Sequence, residues 1–121
     1  SCSGKGSSPS PDCDIDSGHC IKSYRGKEID FDIEPRPVKA MESLYFRIKL
    51  KNYENPRSII IDLSMPEMPM GYNHVLLEKT GMDTYEGRGI IPICPSGNKL
   101  WRASIIINDK TEESFLFNVQ H

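Results

Sequence analysis

No apolar run in this chain of 121 residues approaches the roughly 20 that cross a bilayer as a helix, so no helical span is expected. Charge of one sign is also missing. Fifteen Lys and Arg stand against 17 Asp and Glu, the net charge is -2, and the basic residues are scattered along the sequence. Nucleic acid is therefore not an expected partner, because polyanion binding draws on clustered cations. Histidine is scarce: His19, His74 and His121 lie far apart, and no Ser/His/Asp set, phosphate loop or convincing carboxylate pair can be assembled around them. An enzyme is not expected on that account. There is no Cys-x-x-Cys pair for thiol redox chemistry and no Cys-x-x-Cys-His for covalent haem. Helical periodicity is absent as well.

Alternation is what remains, and it is abundant. Ile29, Phe31 and Ile33 alternate with Glu28, Asp30, Asp32 and Glu34, and Leu44, Phe46, Ile48 and Leu50 alternate with Tyr45, Arg47, Lys49 and Lys51. A period of two marks a strand with one buried face. Ile59, Ile61 and Leu63 follow after Asn55-Pro56, then a shorter run from Val75 to Lys79 and another from Tyr85 to Ile93. Gly87 and Gly89 in that last run point to a bulge or a close backbone approach. Trp101, Ala103, Ile105 and Ile107 lead through an Asn108-Asp109-Lys110 turn to Phe115, Phe117 and Val119. Turn signals recur about every ten residues. The expected architecture is an all-β, immunoglobulin-like antiparallel β-sandwich of seven or eight strands, with Trp101, Phe46, Phe115 and Phe117 in its core.

The four cysteines indicate an oxidising compartment. Cys13 and Cys20 flank a short loop with a glycine and are expected to close a disulfide. The alternative, a metal site from Cys13, His19 and Cys20, fits no common zinc spacing. Cys2 heads a tract of Gly, Ser and Pro that reads as a tether over residues 1–12, ahead of a single domain over 13–121. A cysteine at the head of such a tether is the arrangement of a bacterial lipoprotein. Cys2 is then the expected lipid anchor, the location periplasmic or otherwise extracytoplasmic, and the membrane contacted only through that anchor. Cys94 is left unpaired.

Met65-Pro66-Glu67-Met68-Pro69-Met70-Gly71-Tyr72-Asn73-His74 holds three of the five methionines. Proline favours the second position of a turn, and a turn over Met65 to Met68 brings its ends together. Met68 and Met70, two apart in an extended piece, share a face. Thioether sulfur is soft and suits Cu(I), as does a thiolate. The candidate ligands are Met65, Met68, Met70 and Cys94, with His74 a further candidate and Met82 a weaker one. Against this stands ordinary use of methionine as an adaptable packing residue.

At these residues the sequence resembles the YtkA-like domains, whose signature reads Met-Pro-Gly-Met-x-Met-Gly-x-Asn. Tyr85-Glu86-Gly87, Cys94-Pro95-Ser96-Gly97 and Trp101 match that family's Tyr-x-Gly, Cys-x-x-Gly and Trp elements in order. The related FixH proteins share the Tyr-x-Gly and Gly-x-Trp features. The resemblance covers roughly residues 27–119. It implies an immunoglobulin-like sandwich of the cell envelope associated with copper handling and often with oxidase assembly. Met65, Met68, Met70 and Cys94 fall on matching positions, His74 does not, and Glu67 replaces a glycine. The expected function is thus a copper-binding protein, a chaperone or buffer that passes Cu(I) to an envelope acceptor protein. The competing expectation is a lipid-anchored interaction or scaffold module without metal, its methionines forming an apolar contact patch.

Overall fold

The alternating runs become strands because each has one face of branched and aromatic side chains that leaves water only by packing on another sheet. The computed structural model describes residues 10–54, 56–66, 73–93 and 99–120. Its elements are β1 (Cys20–Tyr24), β2 (Lys27–Glu34), β3 (Leu44–Lys51), β4 (Ile59–Ser64), β5 (His74–Gly81), β6 (Thr84–Gly89), β7 (Leu100–Ile107) and β8 (Lys110–Asn118). All the strand pairs are antiparallel, and the strands follow one path in the order β1-β2-β3-β6-β5-β4-β7-β8.

That path folds over on itself at β5. The first half of β5 pairs with β4, from Asp62 opposite His74 to Ile59 opposite Leu77. The second half pairs with β6, from Glu78 opposite Glu86 to Gly81 opposite Thr84. Two layers result, β2-β3-β6-β5 and β4-β7-β8. They reproduce the A-B-E-D and C-F-G sheets of the immunoglobulin fold, with β1 added outside β2. Phe31 of β2 stacks on Phe115 of β8 with ring centres 4.9 Å apart, so the first layer faces the second across the core. Trp101, Phe31, Phe46, Phe115 and Phe117 are all fully buried. Unlike antibody domains, the buried Trp lies on β7, in the position of strand F rather than strand C.

Glycine makes the crossing at β5 possible. A Cβ on Gly87 would lie 2.4 Å from the Leu76 carbonyl oxygen, and one on Gly89 would lie 2.6 Å from Val75 Cγ2. Both expected glycines are therefore close-approach positions. The irregularity falls instead on the partner strand, between Lys79 and Gly81. β6 ends at Gly89, short of the expected Ile93, and β5 extends beyond the expected run at both ends.

The free edge of β8 is covered from the N-terminal side. Asp12 and Cys13 donate their backbone N–H groups to Leu116 O, and Leu116 N donates to Asp12 Oδ1. Asp16 accepts from Val38 N and Gln120 Nε2. Ile15 and Cys13 are buried, and the Cys13–Cys20 disulfide is present. Asp12, the last residue of the expected tether, is thus hydrogen-bonded to β8. The segment held by the disulfide is an integral part of the core.

The outer face of the first layer carries paired charge. Arg47 on β3 donates to Glu86 at 2.7 Å and to Glu34 at 3.1 Å, and lies 3.7 Å from Asp32. The hydrogen bond to Glu86 raises the Arg47 pKa further, and the same bond holds the Glu86 carboxyl below its ordinary value.

Candidate metal centre

Strand direction decides which connections share an end of the sandwich. Leu44 pairs with Gly89, Leu63 with Ala103, and Leu100 with Asn118. Gly89 packs against Val75, and Leu63 N donates to Asn73 O at 2.9 Å. The connections β2–β3, β4–β5 and β6–β7 therefore emerge together at one end. The β4–β5 connection is the methionine segment, and the β6–β7 connection is the one that contains Cys94. Met68, Met70 and Cys94 themselves lie outside the described residues, as does the expected lipid anchor Cys2.

Met65 is described, and it continues the inward alternation of Ile59, Ile61 and Leu63 at 7% exposure. Ser64 pairs with Arg102, so one further step in register places Met65 opposite Trp101. Met65 is thus part of the core beside the indole. Trp101 Nε1 is buried and has no hydrogen-bond partner among the described residues.

His74 faces the other way. Its Nε2 lies 3.3 Å from Asp62 Oδ1, its register partner on β4. The next residue, Val75, is buried. His74 and Met65 therefore occupy opposite faces of the same sheet, and the fold does not bring them together. Met82 is 89% exposed in the β5–β6 turn, at the far end of β5. Strand rise puts it roughly 25 Å from His74 at the start of β5, at the opposite end of the sandwich from Met65.

Among the described residues no group of three or more His, Cys, Asp or Glu is placed to hold a metal ion, and no cysteine is free. His19 bonds Asp30 through Nδ1 at 2.7 Å, apart from the disulfide next to it. Exposed apolar side chains gather near the sulfur-bearing connections: Met41 is 61% exposed, Ile90 52% and Ile93 48%. Sequence reading did not single them out, since isolated apolar residues in loops carry no signal until the fold gathers them. No helix is long and apolar enough to cross a membrane among the described residues. No protein-family model, no curated protein and no solved structure matches the chain.

Proposed function

We propose that this chain is a cell-envelope copper-binding protein that holds Cu(I) through Met68, Met70 and Cys94 at one end of the sandwich, with Met65 beneath them. It acts as a chaperone or buffer that hands the ion to an acceptor protein, tethered by a lipid on Cys2. The observation that carries this reading is the convergence of the β4–β5 and β6–β7 connections, whose anchors Val75 and Gly89 are in contact. Met70 and Cys94 each lie five residues from those anchors. Five residues reach up to roughly 17 Å, so sulfur atoms distant in sequence have the span to meet. Soft, neutral thioethers with one thiolate select Cu(I) over harder cations. The order of motifs shared with YtkA-like domains supports the same reading.

The test is anaerobic titration with Cu(I) against a competing chelator. Binding near one equivalent is expected, and the Met68→Ala/Cys94→Ala double variant should lose it. Unchanged affinity in that variant would end the proposal.

A second reading rests on Met41, Ile90 and Ile93, whose exposure at this end gives an apolar contact patch for a scaffold module. Replacing Met68→Leu and Met70→Leu separates the two. A contact patch keeps its partner after that change, whereas a copper site loses its ion.

A further inference from the structure

The two outer faces of the sandwich carry opposite chemistry. On β2, β3 and β6 the outward residues are mostly charged, and Asp32, Glu34, Arg47 and Glu86 are tied together in one network. On the other layer an apolar row crosses the sheet instead. Ile60 is the register partner of Leu76 on one side and of Ile106 on the other. These three point away from the core, since Ile59, Ile61, Val75, Ile105 and Ile107 beside them in sequence are buried. Leu76 is 66% exposed. The next row holds Asp62 beside Ser104, and the row after it Ser64 beside Arg102.

The sequence carries the same mark. Ile59-Ile60-Ile61 and Ile105-Ile106-Ile107 are continuous apolar runs rather than alternating ones. Continuous runs belong to strands covered on both faces, and one chain covers only the inner face of β4 and β7. Ser64 and Ser104 add little bulk, so a second sheet can approach to about 10 Å. The charges on this face are not matched to each other within the chain. Asp62 pairs with the His74 imidazole at 3.3 Å, and Arg102 forms no ion pair among the described residues.

We infer that this face binds a second copy of the chain, about a two-fold axis that runs between β4 and β7 and parallel to them. Such an axis exchanges the two strands. Ile60 of each copy then lies over Ile106 of the other, and Leu76 extends the apolar contact on both sides. The same operation lays Ser64 over Arg102. Each guanidinium then stands one row, about 7 Å along the strand, from Asp62 of the other copy. An Arg side chain spans that step, so two charge pairs form across the axis. A face that complements itself is what a two-fold interface requires. Four strands and three rows make a face of roughly 19 Å by 20 Å. That is at the small end of specific interfaces, so pairing is reversible, with a Kd of about 100 µM. None of the proposed copper ligands takes part, and the inference stands independently of that site.

The experiment is sedimentation equilibrium of the intact chain from about 10 µM to about 1 mM, a range that brackets such a Kd. A copper chelator is present, and non-reducing electrophoresis excludes cross-linked chains. The mean mass should rise from 13.7 kDa toward twice that value. Asp62→Arg and Arg102→Asp should each weaken self-association at least about tenfold, because each sets like charges against each other twice. An equimolar mixture of these two variants should recover association close to the parent's, since every like-charge pair becomes an opposite pair in the mixed dimer. A charge that served only its own chain's fold would not be rescued by mixing. Ile106→Lys should abolish association, and Lys49→Gln, on the other outer face, should leave it unchanged. A parent chain that stays monomeric throughout would overturn the inference and leave the face to a partner of different sequence. A mixture no more associated than its components, or association that persists in Ile106→Lys, would overturn it as well.

Discussion

The two ends of this sandwich are built on different terms. At one end β1–β2, β5–β6 and β7–β8 are joined by tight turns whose backbone is fixed by positive φ at Arg25, Gly26, Asp83, Asn108 and Asp109. Such turns match strand twist and set register. The same end also holds the longer β3–β4 connection over 52–58, with Pro56, whereas at the other end all three connections, β2–β3, β4–β5 and β6–β7, are long, and they carry six of the nine prolines, the methionine segment and Cys94. The lesson is a division of labour: tight turns at one end set how the strands pair, while the long connections gather at the other, where the proposed site is placed.

The sharpest way to break this comparison is at the glycines where β5 crosses between layers. Gly87→Ala places a methyl 2.4 Å from a backbone carbonyl oxygen that cannot swing aside. A stability loss of about 3 kcal/mol is expected in urea unfolding, with both long connections loosened, because Val75 and Gly89 anchor them. Unchanged stability would show that the crossing tolerates a side chain.

Met65 separates packing from ligation. Met65→Ala should cost about 3 kcal/mol through the cavity left beside Trp101. Met65→Leu should stay within about 1 kcal/mol of the parent and yet weaken Cu(I) binding if the sulfur is a ligand. Equal Cu(I) affinity in Met65→Leu assigns this residue to the core alone and leaves the site to Met68, Met70 and Cys94.

The smallest effect lies on the charged face. Glu86 is held below the ordinary carboxyl value of 4.5 by Arg47. Its contribution is therefore fully present above pH 4.5 and is lost as pH falls through the lowered folded value. Exposed pairs are worth at most about 1 kcal/mol, so Glu86→Gln should lower stability at pH 7 by about that amount and flatten the decline below pH 4.5. A variant that keeps the parent's acid profile would place the sensitivity elsewhere.

Much of this division was legible in the sequence. The alternation of β2, β3, β4 and β7 marked strands whose inward residues are now buried, and Gly87 and Gly89 marked close approaches. β1 was missed for a physical reason. As an edge strand it turns Ile21 outward at 51% exposure and points Lys22 across the seam, so its polarity pattern is inverted. The Arg25-Gly26 pair, with positive φ at both residues, was the available signal for its hairpin. β5 was hard to read because it serves two sheets and buries only Val75 fully. In the site, spacing along the chain named Met65 and His74 together, but alternation sends one into the core and the other out beside Asp62.

The most direct measurement of the central claim is X-ray absorption at the copper edge on the intact chain loaded anaerobically with one equivalent of Cu(I). The account predicts a shell of sulfur scatterers from methionine and cysteine, which Cys94→Ser reduces by one. A shell of nitrogen and oxygen, or no retained copper after desalting, would contradict it.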